Sequence, residues 1–424
     1  MEALVLFGIF VVLLLLGVPI GYSIGISTIV SVYWFTTTPM VVIAQQSVVA
    51  TNSFPLMAIP FFMLAGNIMS TGGVAKRLIG FCNVFVNFIT GGLAMVGTLA
   101  SMFFGAISGS AVATTSAIGS FLIPEMEKKG YDKSFSAAVC AAAGTVGVII
   151  PPSIPLVIYG VVVGASIGDL FLAGILPGIL MGICLIAADY IMCKKLGYKG
   201  SGELPTLRKV WTTFKDSFWA LLTPVIILGG IYSGIFTPTE AAVVAVVYAF
   251  IVGRFIYKEL SWSGLYDSLV ESVTVNGATT FMVGLSGAFA TFLTMQRMPQ
   301  KMAAAMLSLT TNKIVLLLII NLFLLFVGML IDNIPATIIL APILLPVVTQ
   351  FGMSPITLGV MITLNLAIGF ITPPYGINLF VASAVANVPI EKIVKYIMGF
   401  IIALLVALMA TTYIPVLTMA FIGR

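Results

Sequence analysis

The sequence predicts an all-α polytopic membrane protein, built as an inverted repeat of broken helices and two re-entrant hairpins. Three observations carry this. Of 424 residues, 60% are hydrophobic and only 8% charged, where a soluble domain has roughly 25% charged residues. Helix-breaking residues recur at one fixed offset in the two halves. Of the turns that follow equivalent segments, one is lysine-rich and the other uncharged.

Composition excludes whole classes of chemistry. There is no histidine, which removes Ser-His dyads, His-ligated zinc and His proton relays together. The four cysteines, Cys82, Cys140, Cys184 and Cys193, form no CxxC pair and read as small packing residues. No GxxxxGK[ST] loop is present, so ATP does not drive the chain directly. A net charge of +5, concentrated in loops, follows the positive-inside rule and does not suggest nucleic acid. The apolar N-terminal run is preceded by Glu2 rather than a basic segment, so it reads as a retained membrane helix.

Charge-free stretches such as 3–75, 78–124 and 333–390 mark the membrane passages. About 20 apolar residues cross a bilayer once, so the chain predicts about ten to twelve helices plus two re-entrant elements. A basic stretch with Lys194, Lys195, Lys199, Arg208, Lys209 and Lys215 against Glu203 and Asp216 marks a cytoplasmic joint. The first repeat is then 1–200, the linker 201–216 and the second repeat 217–424. Hairpin 1 is expected at about 105–127 and its broken helix at about 134–165. Hairpin 2 is expected at about 328–350 and its broken helix at about 354–388.

Shifting the first repeat by 222 residues brings Pro124 onto Pro346, Gly130 onto Gly352, Gly147 onto Gly369, and Pro151-Pro152 onto Pro373-Pro374. The turn after Pro124 holds Lys128, Lys129 and Lys133, while the turn after Pro346 is uncharged. A basic turn faces the cytoplasm and a neutral one is free to face outward, so the repeats enter from opposite sides. Inverted repeats with matched breaks point to a secondary transporter.

Proline has no N–H, so each Pro pair removes the helical partners of two carbonyls. These belong to Gly147 and Val148 in one break, and to Gly369 and Phe370 in the other. Unpaired carbonyls in lipid cost several kcal/mol, and a cation is one way to satisfy them. Plain kinks satisfied by neighbours are the other reading. In hairpin 1, Ser108, Gly109, Ser110, Thr114, Thr115 and Ser116 interrupt an apolar run, either as an oxygen-rich tip or as a small-residue helix contact. In hairpin 2, Asp332, Asn333 and Pro335 interrupt another. Asp332 has two readings, cation ligand or helix cap. The GxSG string at 284–287 suggests an intramembrane serine protease, but the base it needs is missing. Asp189 and Asp332 lack the context of an aspartyl protease.

The chain resembles the large membrane subunit of TRAP transporters, the tripartite ATP-independent periplasmic carriers. The resemblance runs end to end. It rests on GAISGSAVATTSAIGS at 105–120, GVIIPPSIPLVIYG at 147–160, GIFTPTEAAVVAVVYA at 234–249 and GFITPPYGINLF at 369–380. The third motif contains Glu240, which also reads as an early-turn acid favouring its helix dipole.

The resemblance implies an elevator of the ion-transporter type in the bacterial inner membrane, with no enzymatic activity. It implies two or more Na⁺ ions, and an organic-acid cargo such as sialic acid or a C4-dicarboxylate. A periplasmic binding protein delivers that cargo, and a separate small membrane subunit of the Q type is the expected partner. Carried onto this sequence, sodium site 1 uses Ser108, Gly147, Ile150 and Pro152. Site 2 uses Gly328, Gly369, Thr372 and Tyr375. Cargo lies near Ser110, Thr114, Asn333, Asn365 and Asn378, with Asp332, Pro151, Pro373 and Pro374 beside the ions. No basic residue lies in the tips or breaks, so sodium ions and helix N-termini would supply the positive field. A stand-alone sodium-coupled divalent-anion carrier of the same architecture is the alternative.

Overall fold

The computed structural model describes residues 2–200, 202, 204–301, 304, 310 and 312–422; Glu203 of the basic joint lies outside the described residues. Every regular element among them is helical. The first repeat comprises α1 (Glu2–Leu15), α2 (Ile20–Phe35), α3 (Met40–Thr51), α4 (Ala58–Thr71), α5 (Val74–Val86), α6 (Gly92–Ser108), α7 (Ala111–Lys128), α8 (Lys133–Gly144), α9 (Ile154–Val163) and α10 (Ile167–Leu196). The second comprises α11 (Leu207–Tyr232), α12 (Pro238–Ile251), α13 (Trp262–Met295), α14 (Lys313–Gly328), α15 (Asn333–Gln350), α16 (Pro355–Gly369), α17 (Ile377–Ala386), α18 (Ile390–Tyr413) and the short α19 (Val416–Met419). Seven helical segments among the described residues are long and apolar enough to cross a bilayer. Shorter apolar helices, the hairpin and broken-helix pieces among them, make up the rest. Helix α11 begins at Leu207, so Arg208, Lys209 and Lys215 stand on a helix rather than in a linker.

The repeat extends to the helix ends. The second hairpin arms, α7 and α15, have 18 residues each and start 222 residues apart. Their caps exchange residue types. Ser110 caps α7 and Asp132 caps α8, whereas Asp332 caps α15 and Ser354 caps α16. Either type accepts from an orphan backbone N–H, so the fold keeps the cap and not the residue. Gly130 and Gly352 both adopt positive φ, +83° and +70°, where each hairpin turns into its broken helix. That conformation is cheap only for glycine.

One segment departs from the repeat. Residues 40–71 form two helices separated by a 3-10 turn, Phe54–Met57. The equivalent residues lie in the unbroken α13. Pro55 in the first repeat stands where the second has Gly277. Proline removes the ladder N–H and pushes the preceding residue out of helical geometry, while glycine only weakens the helix.

The repeats interlock. Helix α9, from the first broken helix, packs on hairpin arm α15 of the second repeat, and α17 packs on α7 and α8. Tyr159 Oη donates to Pro355 O at 2.6 Å. Asn378 Nδ2 donates to Ala141 O at 3.1 Å. Buried polar groups in lipid need such partners, so these two bonds fix the register between repeats. Outside this core, α4 packs on α12 and α13, α3 on α13, and α11 on α5.

Candidate ion and cargo site

Hairpin 1 turns over three residues. Helix α6 ends at Ser108, Gly109 takes φ +62°, and Ser110 is extended as the α7 cap. The cap accepts from Ala113 N at 3.3 Å. Thr114 Oγ1 donates to Ser110 O at 2.7 Å and lies 3.0 Å from Ser108 Oγ. The facing break completes the cluster. Ile154 N donates to Gly109 O at 3.3 Å. A methyl group on Gly109 would stand 2.7 Å from Pro152 O, and one on Gly147 2.5 Å from Thr114 Oγ1 and 3.0 Å from Ser110 O. Ser108, Ser110, Thr114, Gly147 and Pro152 therefore meet at one point. Ile150 packs towards Gly178 of α10, on the other side of the break. The polar atoms gathered here are neutral hydroxyl and carbonyl oxygens, the donor set that suits a hard cation.

Hairpin 2 follows the same plan. Asp332 Oδ1 accepts from Asn333 N at 2.7 Å, so the acid serves as the α15 cap. Asn333 Oδ1 accepts from Thr337 Oγ1 at 2.9 Å. Gly328 at the end of α14 meets Gly369: a methyl group on Gly328 would lie 3.4 Å from Gly369 Cα, and one on Gly369 would overlap the Gly328 backbone. Thr372 N donates to Gly369 O at 3.0 Å and its hydroxyl to Ile368 O at 2.7 Å. Tyr375 is 48% exposed and leans on Phe380. Pro373 is half-buried and Pro374 exposed, while Pro151 and Pro152 are buried.

The proline pairs do not leave all four of their carbonyls free. Ser153 Oγ donates to Val148 O, Asn378 N to Phe370 O at 3.0 Å, and Thr372 N to Gly369 O. Unwinding brings later donors back onto the same turn, so the protein itself supplies partners.

Three asparagines buried as whole residues each keep one polar atom without a partner among the described residues: Asn333 Nδ2, Asn365 Oδ1 and Asn378 Oδ1. A buried polar atom without a partner is costly, and a bound ligand relieves that cost. Asn365 is anchored through one end of its amide. Its Nδ2 donates to Asn321 Oδ1 and Met361 O, both at 2.8 Å, and Asn321 Nδ2 donates to Thr412 Oγ1 at 3.2 Å. That chain ties together α14, α16 and α18.

The first repeat has a counterpart of the Asn321–Thr412 pair that sequence reading missed. Thr98 of α6 donates to Asp189 Oδ2 of α10 at 2.7 Å. Asp189 is fully buried, and its Oδ1 has no partner among the described residues. Its signal was an acid inside a 30-residue apolar helix, functional by default; its partner lies 91 residues away. Glu240 closes a capping box, accepting from Thr237 N and Thr237 Oγ1, both at 2.8 Å, while Thr237 Oγ1 accepts from Glu240 N. Ser286, of the GxSG string, is buried within α13 without a hydrogen-bond partner among the described residues. No group of three or more Cys, Asp or Glu side chains converges on a metal-sized site among them.

The family model described as "Tripartite ATP-independent periplasmic transporter, DctM component" matches residues 7–417. The chain belongs to the DctM family of TRAP transporters. That family comprises transporter components, not enzymes, and the chain is an integral membrane protein. It is 45% identical over 419 residues to the isethionate TRAP transporter permease protein DctMQ of Oleidesulfovibrio alaskensis, covering 99% of this chain and 66% of that protein. It is 37% identical over 409 residues to the sialic acid TRAP transporter permease protein SiaT of Haemophilus influenzae, covering 96% and 66%. The chain thus spans just under two thirds of these two relatives. It is also 35% identical over 434 residues to the C4-dicarboxylate TRAP transporter large permease protein DctM of Rhodobacter capsulatus, covering 99% and 98%. The crystal structure of the YdaH transporter of Alcanivorax borkumensis superposes with a TM-score of 0.62 over 90% of this DctM-family chain and 87% of that one. At 15% identity that likeness concerns the fold alone.

Proposed function

We propose that this DctM-family chain is the transport subunit of a sodium-coupled uptake system in the bacterial inner membrane. It moves a small organic acid by an elevator motion of the two hairpins and broken helices. The observation that carries the reading is the pair of repeat-related tips, each set against a Pro-Pro break, with Asn333 and Asn378 each keeping a buried polar atom unsatisfied nearby. One sodium ion sits between Ser108 and the backbone carbonyls of Gly147, Ile150 and Pro152, the other among Gly328, Gly369, Thr372 and Tyr375. Cargo lies between them, near Ser110, Thr114, Asn333, Asn365 and Asn378. The names of the relatives include a sulfonate, a sialic acid and C4-dicarboxylates, which supports a small organic anion as cargo. A periplasmic binding protein and a small membrane subunit complete the system; the fused name DctMQ supports the latter.

The test is uptake into liposomes containing this chain, its small subunit and its binding protein, with isethionate, sialic acid and succinate offered in turn. Uptake of one of them is expected with sodium outside and is lost when potassium replaces it. Equal uptake in potassium would overturn the coupling. Equal uptake by the chain alone would make it a stand-alone carrier.

A further inference from the structure

Among the described residues, no other element fills a groove between α5 and α11. It has a volume of about 480 Å³ and is lined by Phe81 and Phe85 of α5 and by Leu207, Val210, Trp211 and Phe214 of α11. The α11 residues follow i, i+3, i+4, i+7 spacing, which puts them on one helical face. Leu207 is 87% and Trp211 58% exposed, so no described residue closes the face.

The rim of the groove is cationic. Arg208 and Lys215 stand seven residues apart and share a flank of α11 beside the apolar face, at 3.6 residues per turn. Lys215 Nζ lies 5.3 Å from the Trp211 ring centre. Neither residue makes an ion pair among the described residues. The neighbouring cation is the opposite case: Arg77 of α5 pairs with Glu259 at 2.8 Å and Asp216 at 3.6 Å and stacks on Tyr257. The joint between the two helices is thus charge-balanced at Arg77 and has surplus positive charge beside the groove. An apolar slot, an aromatic ring at its edge and unpaired Arg and Lys on one flank match the two ends of an anionic lipid.

We propose that this groove holds an acyl chain of an anionic phospholipid, with its phosphate against Arg208 and Lys215. The position gives the lipid leverage. Helix α5 leads through Gly91 (φ +75°) into hairpin arm α6, while α11 belongs to the other repeat.

The full chain, delipidated in detergent, is titrated with phosphatidylglycerol or phosphatidylethanolamine, and bound lipid is read by native mass spectrometry. Phosphatidylglycerol is expected to bind more tightly. Arg208→Gln and Lys215→Gln each weaken it about fivefold, the effect of one cation near a lipid phosphate. Lys209→Gln, on the opposite face of α11, leaves it unchanged. Val210→Trp fills the slot and removes binding of both lipids while the thermal midpoints of the exposed-charge variants stay at the parent value. Equal affinity for the two lipids, or an equal loss in Lys209→Gln, overturns the proposal. So does a photo-crosslinker at position 211 that captures a second polypeptide, such as the small subunit, in place of lipid.

Discussion

The two breaks share one plan and differ in their surroundings. Pro151, Pro152 and Ser153 are buried, whereas Pro374 and Tyr375 are exposed. The hairpin tips follow suit: Ser108 is 1% exposed, but Leu330 is 48% exposed. The cause is local packing. Helix α4 lies across tip 1 so closely that a methyl group on Gly66 would stand 3.0 Å from Ser108 Cβ. Equivalent sequence devices therefore sit in a sealed environment at one end of the repeat and an open one at the other.

Four substitutions pairs sharpen or break this comparison. The largest effect is expected for Gly369→Ala, because the added methyl meets Gly328 backbone, which cannot yield. A loss of about 3 kcal/mol is expected, against about 1–2 kcal/mol for Gly147→Ala, whose methyl meets the Thr114 hydroxyl and comes near backbone only at Ser110 O, 3.0 Å away. Unfolding of the purified variants in detergent measures both, and a greater loss at Gly147 would invert the picture. Next is Thr98→Val, which strips a fully buried carboxyl of its one side-chain partner and is expected to cost about 1–3 kcal/mol. Thr412→Val leaves Asn321 still bonded to Asn365 and is expected to cost less; similar losses would mean that Asp189 is not the more demanding of the two. The caps come third. Ser110→Ala and Asp332→Ala are each expected to cost about 1 kcal/mol. If Asp332→Ala also abolishes the sodium dependence of uptake while Ser110→Ala preserves it, the acid does more than cap its helix. The smallest effect separates the breaks themselves. Ser153→Ala removes both the donor to buried Val148 O and the cap on Leu156 N and is expected to cost about 1 kcal/mol. Tyr375→Phe, at the equivalent exposed position, is expected to change stability by less than about 0.5 kcal/mol. Equal losses would show that exposure does not distinguish the two.

Much of the site was legible because the features that define it are local. Glycine and proline announce breaks through backbone chemistry, so Gly147, Pro151, Gly369 and Pro373 mark the broken helices without any knowledge of neighbours. The short polar run Ser108–Ser110 marks a turn, and Asp332 preceding Asn333 is a readable cap. Asn365 was different. The family resemblance alone placed it near the cargo, and its partner Asn321, 44 residues away, could not be read from its neighbours. Asp189 was visible as a lone acid in an apolar run, yet nothing nearby in the sequence named Thr98.

The sequence by itself determined that the chain lives in a bilayer, that it is a repeat offset by 222 residues, and where its helices break. These follow from hydropathy, from proline's missing N–H and from glycine's tolerance of positive φ, all properties of single residues and their immediate neighbours. Only the tertiary structure decided that α9 packs on the hairpin of the other repeat, that Thr98 meets Asp189, and that the first break is sealed while the second is open. Those depend on which surfaces meet across hundreds of residues. In a chain whose apolar faces are so alike, small residues such as Gly66 and single polar bonds such as Tyr159 to Pro355 choose the partner.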